Sequence, residues 1–280
     1  MDAKRTSLVA EIGCVHGGSL SRAVKLIELA ASNGADAVKS QKRNPYESVP
    51  EHMKASKHPN PNFSFGSTYL DHRLKLELNV RDHQDMCSHA HMLGIMYGCS
   101  VWDFTSAQEM SSVSIDFVKI PSALCTDFNL LNECMKIFSC PVHISTGMTN
   151  MLERESLYNF LKRFSHRCVV YHTTSEYPCP FSRLYLKEIP NIVSKGFQAG
   201  FSNHGYGIAA DIAAMTLGAT WIERHFVDDR SYPHTDAAAS LEPSGLATLS
   251  RDLQNVSKSL CSRPESPTEE EVNQIRKLRP

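Results

Sequence analysis

Lys39 and Lys119 stand near the ends of two short apolar runs, where a strand would hand over to a loop. Burying an ammonium group is costly unless a counter-charge or an anionic ligand meets it. These and other short runs end in small polar side chains: Gln41, Ser100, Ser122, Ser145, Thr174, Ser175 and Ser202. Two ammonium groups among hydroxyls suit a small dianion such as a phosphorylated carboxylate. Glu11 and Glu223 lie on the first and last of these runs. Glu11, a carboxylate beside cations, is a candidate general acid or base. Glu11, Lys39, Lys119 and Asp236 form the expected catalytic set, and Glu223 joins the hydroxyl and amide groups as a substrate contact. A plainer reading pairs both lysines with Glu11 and Glu223 as a structural network, which leaves the hydroxyls unexplained. His204 and His225 end two further runs. Together, with Glu11 and Asp236 close by, they suit one divalent ion completed by carboxylate and water. The remaining histidines carry no such pairing, and His52, His58, His72, His83, His89, His91 and His166 read as loop or helix-surface residues.

These residues need a scaffold that brings many strand ends together. Strand-like runs cover 7–12, 35–41, 94–101, 115–120, 141–145, 168–172, 198–202 and 219–226. Helical patterns separate them. In the first, Leu20, Ala23, Val24, Ile27, Ala30 and Ala31 share one face, and Asn33-Gly34 stops it. The others cover 80–93, 104–112, 130–138, 152–164, 184–194, 208–217 and 243–260. Strict alternation implies a parallel sheet, because parallel strands need crossovers. Eight units in about 250 residues match a closed (β/α)8 TIM barrel, with a doubly wound open sheet as the alternative. Active sites of such barrels gather at the C-terminal ends of the strands, where the polar residues above fall. Residues 1–261 read as this single catalytic domain and 262–280 as a charged tail or linker. Residues 42–78, rich in Pro, Ser, Asn and His, read as a long loop that covers the site or forms an interface.

Composition narrows the function classes. Hydrophobic residues make up 41% of the 280, enough for a sizeable core, and Lys plus Arg (29) balance Asp plus Glu (30). No basic field is present to attract nucleic acid. No run of 18 apolar residues suggests a membrane span, and the charged start lacks the apolar segment of a secretory signal. Nine cysteines without C-x-x-C spacing predict reduced thiols in a cytoplasmic protein, with neither a disulfide framework nor structural zinc.

Ordered motifs then point to a family. Ala10-Glu11-Ile12-Gly13 with His16-Gly17-Gly18, Ala35-Asp36-Ala37-Val38-Lys39-Ser40-Gln41, and Ser145-Thr146-Gly147-Met148 resemble the sialic acid synthase (N-acetylneuraminate synthase) family. So do Thr174-Ser175-Glu176-Tyr177-Pro178, Phe201-Ser202-Asn203-His204, Glu223-Arg224-His225-Phe226, Asp229-Arg230, Asp236 and Ser240-Leu241-Glu242-Pro243. The resemblance runs in order from residue 7 to about residue 260. It implies a homodimeric barrel that condenses phosphoenolpyruvate with an open-chain amino-sugar aldehyde, using Mn or Mg and releasing phosphate. By the same resemblance His204 and His225 match metal ligands. Lys39, Lys119, Ser122, Ser145 and Ser202 match phosphoenolpyruvate contacts, with Ser175 in a position often Asn or Ser. Glu11 matches an acceptor-site or acid/base carboxylate and Asp236 a sugar-binding one. Departures mark a divergent branch: Asn203 precedes His204 where the family has Asp, Leu124 replaces an acidic residue, and Ala237 replaces a common His. A small C-terminal antifreeze-like domain, common in the family, is expected to be lacking.

Two other functions fit the same residues. One is a Schiff-base pyruvate aldolase, in which a strand-end lysine forms an imine. The other is a non-catalytic paralogue that binds phosphoenolpyruvate or sugar, motivated by Leu124, Ala237 and the expected missing domain. The sequence leaves the acceptor sugar open.

Overall fold

A computed structural model describes residues 6–232 and 235–280. Eight parallel strands close into a barrel in sequence order: β1 (Ser7–Gly13), β2 (Ala37–Lys42), β3 (Met96–Val101), β4 (Phe117–Ile120), β5 (Val142–Ser145), β6 (Cys168–Thr173), β7 (Gln198–Asn203) and β8 (Ala219–His225). The predicted TIM barrel is present, and the open sheet is excluded by the pairing of β1 with β8.

Alternation along each strand sorts the side chains into two layers. Leu8, Ala10 and Ile12 of β1 and Val38 of β2 pack outward against the helices in the main core, while Val9, Ala37 and Phe117 form a separate cluster inside the barrel. Inside, large residues fit because small ones face them. A Cβ on Gly98 would collide with the Phe117 ring, and one on Gly200 would come within 2.6 Å of Tyr171. Above Phe117, His143 stacks on that ring at 4.3 Å between centroids and hydrogen-bonds the Tyr171 hydroxyl at 3.1 Å. This aromatic plug closes the floor of the barrel, so polar groups above it open only toward the C-terminal mouth.

The helices start where capping residues dictate. Ser19, Asn79, Asp103, Asp127 and Asn150 each accept a hydrogen bond from the first turn of the helix that follows. The helix expected over 184–194 is shorter, Glu188–Ser194, preceded by a 3-10 turn at Phe181–Arg183.

The segment 42–78 is not a plain loop. It folds into three short helices, Pro45–Ser48, Glu51–Lys54 and Tyr69–Leu76. Asn44 caps the first with Pro45 at its start, and Thr68 with Asp71 makes a reciprocal capping box on the third. Pro and Asn, read as loop composition, are here helix starts. The stretch after 261 likewise contains a helix, Glu269–Leu278, capped by Thr268 and Glu271, whose residues are mostly exposed. Among the described residues, no helix is long and apolar enough to cross a membrane.

Candidate active site

Strand register brings the charged residues together before any side chain is considered. Glu11 pairs across the sheet with both Lys39 and His225, Gln41 with Ser100, Ser100 with Lys119, and Ser202 with Glu223. All project into one cavity of about 280 Å³ at the barrel mouth. Lys39 forms a short ion pair with Glu11, donates to Ser100 Oγ at 2.7 Å and lies 3.8 Å from Glu223. Lys119 donates to Glu223 Oε1 at 2.6 Å and sits over the Tyr171 ring at 4.1 Å. The same Glu223 oxygen accepts from Ser202 Oγ at 3.0 Å. The structural pairing of lysines with glutamates therefore exists, but in the wall of an open cavity.

Burial and mutual charge set the electrostatics. Burial weakens the Lys39 ammonium, yet Glu11 and Glu223 outweigh it and raise its pKa. Lys119 is pushed down to about 8, first by burial and also by Lys39, with Glu223 opposing. Burial also works against Glu223, but Lys119 and Lys39 hold its carboxyl well below the usual range. Lys119 and Glu223 thus stand as a charged pair near pH 7, with the Lys39 ammonium beside them.

The hydroxyls form a cradle beside the lysines. Ser122, Ser145, Ser175 and Thr173 line the cavity, and Gly147 lies among them. A Cβ at Gly147 would stand 2.7 Å from Ser122 Oγ, closer still to Ser175 Oγ, and 3.0 Å from Thr173 Cγ2. Its lack of a side chain keeps that space open.

His204 and His225 meet beside Thr173, with ring centroids 5.4 Å apart and the Tyr177 ring tilted against His204 at 4.0 Å. His204 Nδ1 lies 3.0 Å from the Thr174 carbonyl oxygen, so that nitrogen carries the proton and Nε2 keeps its lone pair. Burial, and then His225, push the His204 pKa down to about 3, which keeps the ring neutral. His225 Nδ1 is buried without a hydrogen bond and lies 3.9 Å from Asp236 Oδ2. The two rings and the Asp236 carboxylate are the donor groups on this side of the cavity. Among the described residues, no group of three His, Cys, Asp or Glu is arranged so that it could hold a metal ion by itself.

Of the expected site residues, all but one line this cavity. Thr174 does not: its hydroxyl donates to the Arg183 carbonyl at 2.7 Å, outside the barrel. Alternation along β6 explains the error, because Tyr171, Thr173 and Ser175 face inward while His172 and Thr174 face out. His172 accordingly contacts the Leu184 carbonyl and packs on Phe201. Two of the seven histidines read as surface residues, His58 and His72, instead line the cavity, and His83 is fully buried at 2.8 Å from the Tyr97 hydroxyl.

Sequence reasoning missed several residues. Arg43, Trp102 and Tyr177 lie two residues beyond Gln41, Ser100 and Ser175, so period-two counting into the loops would have found them. Arg73, Phe65 and Tyr69 come from the folded 42–78 segment and gave no such signal. Arg224, on the outer face of β8, pairs with Asp211 at 2.8 Å and donates to the carbonyls of Gly205 and Gly207. It fixes the loop after His204. Asn203 also faces outward. It donates to Asp211 at 3.0 Å and accepts from Gly205 N–H at 2.7 Å, a double role an ionised aspartate could not fill.

A profile of the NeuB family matches residues 26–264. The chain belongs to the NeuB family. It is 31% identical over 281 residues to N,N'-diacetyllegionaminic acid synthase of Campylobacter jejuni, covering 98% of this chain and 84% of that protein. It is 31% identical to the human N-acetylneuraminate-9-phosphate synthase, over 91% of this chain and 71% of that one. Among solved structures, the N-acetylneuraminic acid (sialic acid) synthetase of Leptospira borgpetersenii, in complex with citrate, superposes with a TM-score of 0.84 at 24% identity. That match covers 99% of this chain and 93% of the other, and supports the barrel fold of this NeuB-family member.

Proposed function

We propose that the protein joins phosphoenolpyruvate to the carbonyl carbon of an open-chain amino-sugar aldehyde, giving a 3-deoxy-2-ulosonic acid and inorganic phosphate. The observation that carries this reading is the meeting of Lys39 and Lys119 with the Ser122, Ser145, Ser175 and Ser202 hydroxyls at one mouth, beside Glu11. Membership of the NeuB family, with relatives named as legionaminic and neuraminate synthases, supports it.

The lysines and hydroxyls bind the phosphate and carboxylate and turn C3 toward the aldehyde. Holding both reactants in line supplies up to about 7–11 kcal/mol of the barrier. C3 bonds to the aldehyde carbon, whose oxygen takes up a proton to become a hydroxyl. Water adds at C2 and loses a proton, and the resulting species expels phosphate by breaking its C–O bond. Glu11, hydrogen-bonded by Gln41 at 2.8 Å and paired with Lys39, moves one of these protons in this reading. Asp236 stands across the cavity as a contact for the sugar hydroxyls. His204 and His225 would hold a Mn or Mg ion, which when bound supplies Lewis-acid polarisation of the acceptor carbonyl. We extend the proposal to a cytoplasmic homodimer, on the family resemblance.

The test is phosphate release from phosphoenolpyruvate over a panel of aldoses and amino sugars, with the nine-carbon or longer acid identified by mass. Absence of acceptor-dependent release across the panel would sink the reading. A second reading draws on Lys119, whose pKa near 8 brings it within reach of imine chemistry. Borohydride trapping with pyruvate separates the two: an irreversible pyruvyl adduct on Lys119 favours the aldolase. Tight phosphoenolpyruvate binding without release would favour a non-catalytic protein.

A further inference from the structure

The two lysines of the cavity are held in different ways. Lys39 has two carboxylates, Glu11 in a short ion pair and Glu223 at 3.8 Å, and donates to Ser100 Oγ at 2.7 Å. Lys119 has one ion pair, with Glu223 Oε1 at 2.6 Å, and that oxygen also accepts from Ser202. Its other support is a ring: Lys119 Nζ lies 4.1 Å from the Tyr171 ring centroid. Lys119 lines the cavity, and Tyr171 is fully buried.

The surroundings fix that ring. A Cβ on Gly200 would come within 2.6 Å of it, so only glycine leaves the ring its place. The Tyr171 hydroxyl lies 3.1 Å from His143 Nδ1, and His143 is packed face-on against Phe117 at 4.3 Å and edge-on against Trp221 at 4.7 Å. Burial, and then Lys119, push the His143 pKa well below its usual value, so the imidazole is neutral. Burial, and then Glu223, push the Tyr171 phenol well above its usual value, so it keeps its proton. His143 Nε2 is buried without a hydrogen bond. Donation from the phenol to Nδ1 then leaves one unmet group, the Nε2 proton. The reverse would leave two, the phenolic proton and the Nε2 lone pair. A phenol that donates its proton in a hydrogen bond carries more electron density on its ring, which strengthens the attraction for a cation.

We infer that Tyr171 is a positioning residue for the condensation: its ring face, backed by His143, holds the Lys119 ammonium charged at the cavity in place of a second carboxylate. The inference rests on the condensation proposed above, because it concerns how that site keeps a charge for its anionic substrate. A second carboxylate would hold the ammonium too, but would cancel the charge that phosphoenolpyruvate must meet. A ring quadrupole holds the cation and adds no net charge. The other titratable groups that act on Lys119 or feel its charge are Glu223 on β8, Lys39 on β2, Glu11 on β1, His143 on β5 and His204 after β7.

The experiment weakens the ring face in steps and leaves all of those groups in place. Tyr171→Phe keeps the face and removes the hydroxyl. Fluorine atoms added to that phenylalanine ring withdraw charge from the face with little change of shape. Tyr171→Leu removes the face. The first readout is the pH titration of the Lys119 ammonium by nitrogen NMR, assigned with Lys119→Gln. The second is the affinity for phosphoenolpyruvate by calorimetry across the same pH range, without acceptor, so that no turnover occurs. The Lys119 pKa should fall from wild type to Tyr171→Phe and further with each fluorine, and should reach about 0.4–1.5 pH units below wild type in Tyr171→Leu. A fall of about one unit from about 8 leaves about a tenth of the ammonium at pH 8, where the wild type keeps about half, so affinity there should drop about fivefold. A pKa that stays level or rises across the fluorine series overturns the inference, whether or not Tyr171→Leu folds. Phosphoenolpyruvate binding by the wild type, with a fluorine-insensitive pKa, keeps the anion site and removes the role of the ring. The expected pKa order, with no phosphoenolpyruvate binding at any pH, keeps the hold of the ring on the ammonium and removes the condensation.

Discussion

Gly147 offers the sharpest test of the hydroxyl cradle. An alanine there places a methyl group 2.7 Å from Ser122 Oγ and nearer still to Ser175 Oγ. Carbon atoms in contact prefer about 3.5–4.0 Å, so both hydroxyls must swing out of the space they flank. Gly147 does not lie in the left-handed region of backbone space, so alanine adds no backbone strain there. If Ser122 and Ser175 each donate to a phosphoenolpyruvate oxygen, each lost bond to a charged acceptor costs about 1.5–3 kcal/mol. Losing one to two of them spans roughly 1.5–6 kcal/mol, or about 10-fold to 10⁴-fold in kcat/KM for phosphoenolpyruvate. The assay is steady-state phosphate release with phosphoenolpyruvate varied at saturating acceptor, alongside thermal unfolding. We expect the loss to appear in kcat/KM while the unfolding midpoint moves by only a few degrees. A variant within threefold of wild type, folded normally, would show that this space holds no part of the substrate.

Further outcomes follow from the same geometry. With Lys119 near 8, the ammonium is present below that pH and lost above it, so kcat/KM for phosphoenolpyruvate should fall with a basic limb near pH 8. A profile flat to pH 9.5 contradicts the role of that charge. Because Glu223 raises the Lys119 pKa, Glu223→Gln should move the limb toward lower pH, and an unmoved or higher limb refutes the coupling. Exhaustive chelation should abolish turnover and added Mn or Mg restore it; full activity after chelation removes the proposed ion. Arg224→Leu leaves the buried Asp211 without its cation, with only the Asn203 amide still donating to it, and should cost about 3–5 kcal/mol in urea unfolding. A loss below about 1 kcal/mol would mean that the pair is not what holds β8 to the helix Ala209–Thr216.

The fold was legible because the hydrophobic period switches cleanly between two and three to four, eight times over. The cavity was legible where strand ends carried residues with no cheap structural use, such as Lys39 and Lys119. What failed was direction. Thr174 and Thr173 are alike in type, and only inward-outward parity counted from Tyr171 separates them. Counting by two also explains why Arg43 and Trp102 enter the site, since they continue the Lys39-Gln41 and Ser100 rows one residue past the strand ends at Lys42 and Val101. The 42–78 segment was opaque for another reason. Its helices are only four to eight residues long and depend on caps and on packing over the mouth, so they leave little periodic signal.

The lysine–glutamate pairs found in the structure do not argue against a ligand site. A network serving stability alone would gain by being sealed, because a buried ion pair replaced by apolar side chains of similar volume is often neutral or stabilising. Here the pairs face a cavity, and Glu223 Oε2 is left without a hydrogen bond although buried. Two strongly basic groups in the wall of a cavity must carry counter-charges when no anion is bound. The Glu11 and Glu223 carboxylates supply them while leaving donor capacity on each ammonium, which has three N–H bonds. At the arginine end Glu77 plays part of that role, favouring the charged form of both Arg43 and Arg73 against burial.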